Sequence, residues 1–464
     1  MAIEQVMGRL AAAMRPIVGE QQVSTGDLAA WGGDASQEFA LPGLVVAPGS
    51  VAEVAAVVRL ATRAGVAVTT RGAGSGLAGG AVPQPGGLVL SMARLSRIVE
   101  LDAAAMTATV EAGVVTGDLQ AMVEAQNLFY PPDPASLSWC TIGGNVACNA
   151  GGPRAFKYGM TRNYVLGLTV VLADGQIVRL GSKTHKQSSG YNLSQLFVGS
   201  EGTLGVICEA TLRLIPRPAA RATLTALFPT LLAASEAVTA VLHSGCQPCA
   251  VELMDQATIR AVESVVHLGL PLEAGALLLV EVDGAFSDAL AAELVGIQHI
   301  CESFGASALA VATGDEERAR LWLARRNVYH GMVAAAPNFY LEDVVVPRSV
   351  IPQLVGRVAA IAVETGVQIA VAGHAGDGNL HPCILFDGSD LAQAAAAKRA
   401  ESAIVEAALA LGGMVSGEHG VGSRKQPYLA AGVGDPAYAL MRAVKRTLDP
   451  HNLLNPGKVV TFEQ

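Results

Sequence analysis

The sequence predicts an α+β chain of two principal domains, and three observations carry that prediction. From Leu44, the runs LVVAP, VAEVAAVVRLATRAG and VAVTTRG give strand, helix and strand signals in turn, after which glycine-rich loops separate short β-prone runs. Past Pro216-Arg217-Pro218, the β-prone ATLTALF, a helical 230–244 and the β-prone AVELMD open a second domain. That domain continues with ALLLVEVDG, a helical 287–304 and two β-prone runs at 367–386, a pattern that suits an antiparallel sheet flanked by helices.

Taken in order, residues 1–40 start as a helix, with Val6, Leu10, Ala13 and Met14 at helical spacing, and end in a glycine-rich turn. Residues 41–218 make the first domain and 219–412 the second, whose last element is an alanine-rich helix at 391–412. The remaining 413–464, from VSGEHGVG to DPHNLLNPGK, is expected to be loop-rich and to return to complete the first domain. A length of 464 residues fits this division, since it exceeds what one hydrophobic core normally organises.

Composition narrows the function. Hydrophobic residues make up 51% and charged residues only 15%, which describes buried globular domains rather than a disordered chain. The positive mean hydropathy does not imply a membrane span, because the least charged stretch, 222–251, is broken by Pro229, Glu236 and Pro248. Glu4 and Arg9 interrupt the N-terminus before a signal-peptide core can form, so a cytoplasmic protein is expected, one that meets a membrane only peripherally at its inner face. A net charge of −9 argues against nucleic acid, whose phosphates call for a basic surface. Seven scattered cysteines suggest no disulfide framework, and the single CxxC at Cys246 and Cys249 is expected to be a pair of structural thiols.

Residues 71–80, RGAGSGLAGG, contain a GxGxxG at Gly74, Gly76 and Gly79. As a dinucleotide fingerprint it fails, because AVPQPG at 81–86 continues the loop where that motif would start a helix. Glycine still lets backbone N–H groups approach an anion closely, so a diphosphate suits this loop. PPDPAS (131–136), TIGGNVACNAGG (141–152) and VGSEGTLGVI (198–207) add the Gly, Asn and Ser that surround a long polar cofactor. This chemistry alone does not choose one nucleotide over another.

The run GHAGDGNLHPCILF at 373–386 places two histidines around Asp377-Gly378, a strong turn signal between β-prone VQIAV and CILF. A hairpin there brings His374 and His381 side by side, and GEHG at 417–420 adds a Glu-His pair. His374, His381 and Glu418 can together hold one divalent metal, with His419 beside it as a base. Two imidazoles and a carboxylate suit zinc, manganese or ferrous iron, and three protein ligands leave positions open for substrate. The competing reading of each histidine by itself is an ordinary hydrogen-bonded structural residue.

In this order, RGAGSGLAGG, PPDPAS, CTIGGNVACNAGG, GSEGTLGVI, GHAGDGNLHP, GEHGVG and LLNPGK resemble the flavin-dependent D-2-hydroxyacid dehydrogenases with a vanillyl-alcohol-oxidase-type (PCMH-type) FAD domain, on the glycolate oxidase and D-lactate dehydrogenase side of that family. The resemblance runs from about residue 40 to near the end of the chain. It implies an FAD domain followed by an antiparallel-sheet-plus-helices substrate (cap) domain. It further implies that Arg71, Gly72, Gly74, Ser75 and Gly76 line the FAD diphosphate, that Pro132, Asp133, Ser136, Gly143, Gly144, Asn145 and Gly152 continue the site, and that Glu201, Gly202, Gly205 and Ile207 follow, with Asn455 reaching the flavin from the tail. Some relatives attach FAD through a histidine in the first loop. Ser75 stands in that neighbourhood here, so the resemblance implies dissociable FAD.

For the second domain the resemblance implies metal on His374, His381 and Glu418, zinc first, and His419 acting on the substrate hydroxyl. A family arginine three residues after a tryptophan binds the substrate carboxylate; Trp322 places it at Arg325, with Arg326 as the alternative register. The 2-hydroxyglutarate enzymes carry a lysine before the acid of the strand leading to Pro347 and an asparagine after the second histidine, where this chain has Leu341 and Cys383. A monocarboxylate such as D-lactate or glycolate is therefore favoured over D-2-hydroxyglutarate. Electrons pass to an external acceptor, a quinone, a cytochrome or a partner redox protein, because no Rossmann fingerprint or cysteine cluster offers an internal one. The expected assembly is a homodimer or a hetero-oligomeric oxidase complex. The alternatives are a D-2-hydroxyglutarate dehydrogenase, a non-catalytic flavin subunit using only the first half, and a zinc hydrolase using only the second.

Overall fold

A computed structural model describes residues 2–462, so Met1 of the expected 1–40 segment and Glu463 and Gln464 of the 413–464 tail lie outside it. The chain divides into two units, the first comprising Met1–Gly151, Met160–Arg217 and Glu418–Gln464, the second Gly152–Gly159 and Pro218–Gly417. The eight residues from Gly152 to Gly159 thus join the second unit from within the span expected to be one continuous domain.

In the first unit, the N-terminal helix Ala2–Val18 buries Met7, Leu10, Ala11, Met14 and Val18, one stripe at three- and four-residue spacing. Ala13, expected on that stripe, is exposed, because the helix presents Met7 and Ala11 to the core instead. The helix Val51–Arg63 starts at Ser50, whose hydroxyl accepts from the Glu53 N–H while Glu53 accepts from the Gly49 N–H. Both helices share a core with a four-stranded sheet in the order Val23–Ser24, Leu44–Val46, Leu88–Ser91, Val68–Arg71, the last three strands parallel. A second, five-stranded antiparallel sheet runs in the order Ile98–Asp102, Thr107–Glu111, Val206–Arg213, Val165–Val171, Ile177–Gly181. No helix forms over 72–87, in keeping with the prolines that follow the GxGxxG.

The tail corrects the sequence reading. Residues expected to be loop-rich form the helices Gln426–Val433 and Asp435–Leu448, each with proline in its first turn. Proline reads as a breaker, yet in the first turn its missing N–H has no partner to lose. The buried Lys445 then fastens the second of these helices, donating to the carbonyls of Thr203 and Leu454, both at 2.7 Å, and to Asp449.

The second unit is built on an eight-stranded sheet. Its order is Ala308–Ala312, Ala220–Phe228, Ala276–Gly284, Ala250–Asp255, Gln368–His374, Asn379–Phe386, Asn338–Leu341, with Val344–Val345 also paired to Asn379–Phe386, and every pairing is antiparallel. Period-two alternation sorts the strand residues onto two faces. Val251, Leu253, Leu278 and Val280 pack under the helices Leu231–His243 and Ser287–Ser303. Met254, Leu277, Leu279, Ala370, Ala372 and Cys383 lie on the opposite face with residues of the helices Gln256–Val266, Asp315–Arg326 and Val328–Ala335. The helix Asp315–Arg326 carries so many charges that its sequence gives little amphipathic signal; only Trp322, Ala324 and Arg325 of it are buried.

Candidate functional site

The glycine loops of the first unit are held in place by their neighbours. Arg71 does not extend into solvent: its Nη1 donates to the Gly33 carbonyl at 2.7 Å and its guanidinium stacks over the Trp31 ring at 5.9 Å. Burial lowers its pKa, and Asp34 opposes that shift. Gly74 sits directly over this guanidinium with φ +78°, and a Cβ there would stand 2.2 Å from Arg71 Nη2. Gly72 has the same steric demand, since its Cβ would meet Thr141 Oγ1 at 2.3 Å. The backbone of Gly72, Gly74, Ser75 and Gly76 stays partly accessible, as does that of Gly143 and Gly144. Such a stretch of accessible backbone without side-chain cover fits the close approach of a diphosphate.

Several of the other expected cofactor residues brace these loops. Asn455, at φ +44°, donates from Nδ2 to the carbonyls of Gly80 and Glu201, both at 2.8 Å, and accepts from Thr69 Oγ1. Glu201, at φ +51°, accepts from the N–H groups of Val421 and Gly422 at 2.7 and 2.8 Å; burial raises its pKa and those two donors oppose the rise. Asn145 donates to Thr116 Oγ1, and the Pro132 carbonyl receives Gln120 Nε2, both at 2.7 Å. Ile207 and Gly205 belong to the sheet core, where a Cβ on Gly205 would lie 2.6 Å from Val170 Cγ1. Asp133 and Gly202 are buried and half-buried in the first unit; Ser136 is half-buried, its carbonyl accepting from the Trp139 and Cys140 N–H groups. Gly152, at φ +108°, opens the short segment assigned to the second unit.

In the second unit the hairpin forms as its sequence suggests, with His374 opposite Asn379 and His381 opposite Ala372. The two rings meet edge to face, centroids 5.1 Å apart, each offering a nitrogen within 4.8 Å of the other's. A residue absent from the sequence reading holds the first of them, His374. Glu252 lies directly across the sheet from His374, and its carboxylate oxygens are 2.8 and 3.0 Å from His374 Nδ1. The same carboxylate accepts Arg325 Nε at 2.6 Å. Burial alone would raise the Glu252 carboxyl, yet His374 and Arg325 outweigh it and hold it below the usual range.

A second carboxylate stands behind His381. Asp343 Oδ1 is 3.7 Å from His381 Nδ1 and accepts Asn379 Nδ2 at 2.8 Å, while Oδ2 accepts Ser416 Oγ at 2.6 Å and the Gly417 N–H at 3.1 Å. His374 thus has Nδ1 held by a carboxylate, the arrangement that orients a metal-binding histidine with Nε2 as the ligand atom, whereas Asp343 faces His381 Nδ1 at 3.7 Å, longer than a hydrogen bond. Glu418 and His419 follow Gly417 directly in the chain, with His419 Nε2 3.8 Å from Glu418 Oε1. Arg325 and Arg326 part company on their helix: Arg325 is turned inward onto Glu252, and Arg326 is exposed, lying over the Trp322 ring at 5.9 Å. Leu341 and Cys383 pair across adjacent strands within the apolar core. The Cys246 and Cys249 thiols are free, Cys249 Sγ lying 3.8 Å from Glu281 Oε1, where burial raises its pKa well above the ordinary value.

Sequence reasoning missed Glu252 and Asp343. A signal was present in both cases: each is an acid inside an apolar β-prone run, AVELMD and LEDVVVP, and a charge buried there needs a partner.

Comparison with known proteins adds independent findings. Residues 42–181 match the FAD binding domain model and residues 217–459 match that of the FAD linked oxidases, C-terminal domain. The chain is 41% identical over 427 residues to glycolate oxidase subunit GlcD of Bacillus subtilis (strain 168), covering 92% of this chain and 91% of that protein. It is 36% identical to a D-lactate dehydrogenase of Anaerostipes hadrus, with 90% of each covered. Among solved structures, p-cresol methylhydroxylase superposes with a TM-score of 0.83 at 17% identity, covering 98% of this chain and 97% of that one. A 4-ethylphenol oxidase from Gulosibacter chungangensis does so with a TM-score of 0.79 at 18% identity, covering 99% and 98%. These two likenesses establish the fold, the vanillyl-alcohol-oxidase type expected from the loop order.

Proposed function

Because the chain belongs to the FAD-linked oxidases and is itself an FAD-linked oxidoreductase, we propose that it oxidises a small D-2-hydroxyacid, D-lactate or glycolate, to the 2-oxoacid with the help of a divalent metal. One observation carries the reading: His374 and Arg325 both bond the buried carboxylate of Glu252, and His381 packs edge to face on His374, next to the apolar residues of that sheet face. Burying charged groups is costly unless they are paired, and buried paired clusters of this kind concentrate at functional sites.

Arg325 has Nε on Glu252, and the Nη1–Nη2 edge of a guanidinium suits the paired oxygens of a substrate carboxylate. His374 and His381 with Glu418 supply two imidazoles and a carboxylate, a donor set that fits zinc, manganese or ferrous iron. His419 accepts the proton of the substrate hydroxyl, a role suited to imidazole near neutral pH. When bound, a metal would make that hydroxyl more acidic, and the flavin would supply the acceptor for the C2 hydride. With Ser75 in the first loop, the FAD is held without a covalent bond.

The acceptor of the electrons is external, and the chain works with a quinone, a cytochrome or a further subunit. No helix among the described residues is long and apolar enough to cross a membrane, which fits a peripheral encounter with any membrane carrier. A metal hydrolase would leave the FAD domain without a role. A purely structural flavin subunit would leave the histidine group without one.

The test is a visible spectrum of the purified protein followed by anaerobic addition of D- and L-2-hydroxyacids. D-lactate or glycolate is expected to bleach the flavin band. A flavin that no hydroxyacid reduces would refute the proposed reaction.

A further inference from the structure

We propose that Glu252 is a shared positioning residue, one carboxylate that orients both the metal-binding His374 and the substrate-binding Arg325 and so couples metal affinity to substrate affinity. This rests on the roles proposed above for those two residues and adds a link between them.

The geometry supports the link in three ways. Glu252 and His374 are direct cross-strand partners, so the backbone register itself sets the carboxylate against the imidazole. Both Glu252 oxygens lie within hydrogen-bond distance of His374 Nδ1, at 2.8 and 3.0 Å, and Oε2 also takes Arg325 Nε at 2.6 Å. All three side chains are buried, which leaves little water to replace a lost bond. Fixing Nδ1 of an imidazole points Nε2 away from the carboxylate, and fixing Nε of a guanidinium likewise aims its Nη edge away. Removing the carboxylate frees a ring and a fork at once.

The sheet contains its own control. Glu281 lies on the adjacent strand, opposite Ala250, and its side chain shares the face of Glu252. It too is buried and ion-paired, but its partners are Trp322 Nε1 at 2.7 Å, Thr223 Oγ1 at 2.8 Å and Arg318 Nη2 at 3.1 Å. None of these has a proposed role in metal or substrate binding.

The experiment compares Glu252→Gln and Glu281→Gln in the full-length, FAD-loaded protein stripped of metal with a chelator. Zinc affinity is measured by titration, and KM and kcat for D-lactate after reloading. Glu252→Gln is expected to weaken zinc binding by about 10–100-fold. It is also expected to raise KM proportionally more than it lowers kcat, while Glu281→Gln changes neither quantity beyond about twofold. Should Glu252→Gln not fold, Glu252→Asp is read the same way, because shortening the side chain by one methylene draws the carboxylate back from both partners. Arg325→Lys is expected to raise KM and leave zinc affinity within about threefold. Zinc affinity in the Glu252 variant equal to wild type, or an unchanged KM, overturns the link. Failure of the parent reading is seen separately: wild-type protein that takes up no zinc sinks the metal assignment and the link together.

Discussion

The two units build their binding groups from opposite materials. In the first, the loops at 72–76 and 143–144 offer backbone, and the side chains of Arg71, Asn455 and Glu201 are taken up by bonds to neighbouring backbone at Gly33, Gly80, Glu201, Val421 and Gly422. In the second, the sheet offers side chains, and His374, Glu252 and Arg325 come from three elements far apart in sequence. A backbone site is sensitive to any added Cβ and tolerant of which polar residue braces it. A side-chain site tolerates changes in the surrounding chain but fails when a single functional group is altered.

The strongest test of this contrast is cofactor occupancy. Gly74→Val places a branched side chain at a left-handed position already filled by the Arg71 guanidinium, so FAD should be lost while the histidine group keeps its metal. His381→Ala should do the reverse, losing metal and turnover and keeping FAD. Absorbance near the flavin band together with elemental analysis of both variants decides it. If either variant loses both cofactors, the two sites are not independent.

Next in size is His419→Ala. Both cofactors should stay bound while the rate of flavin reduction by D-lactate falls about 10²–10⁴-fold. An unchanged stopped-flow bleaching rate removes His419 as the base.

Substrate choice sharpens the second half of the comparison. Leu341 and Cys383 pair in an apolar core where the hydroxyglutarate enzymes carry polar groups, so a distal carboxylate would go unpaired at a cost of about several kcal/mol. D-lactate or glycolate should show the higher kcat/KM, and a preference for D-2-hydroxyglutarate would contradict this reading of Leu341 and Cys383.

The smallest effect expected is on acid stability. Burial alone would raise Glu281, but Arg318 and Trp322 outweigh it and keep the carboxyl below the usual range. A depressed carboxyl stabilises the fold above its unfolded pKa of about 4.3, and that contribution disappears as pH falls through the folded value. Wild type should therefore exceed Glu281→Gln in stability by about 1–3 kcal/mol near neutrality, with the gap narrowing below about pH 4. Denaturant melts at the two pH values measure it, and a gap that widens in acid contradicts the pairing.

Much of this molecule is written locally. The Asp377-Gly378 turn between β-prone runs announces the hairpin, and alternation along it places His374 and His381 near one another. Glycine at 72, 74 and 76 marks a loop that must stay bare, since a side chain there changes backbone freedom within a few residues. The helices at Gln426–Val433 and Asp435–Leu448 were masked because proline signals a break or a first turn depending on its position. The charged Asp315–Arg326 helix gives no apolar stripe to read.

What the sequence determined by itself was therefore the order of its loops and which side chains could carry chemistry, the proposed set His374, His381, Glu418 and His419 among them. Only the tertiary structure decided which carboxylate stands behind which histidine, and that Arg325 turns inward while Arg326 faces out. Glu252 and His374 are separated by 122 positions along the chain, and nothing in either neighbourhood encodes the partner. Their contact is fixed by strand register, which the whole sheet sets by burying its apolar faces together.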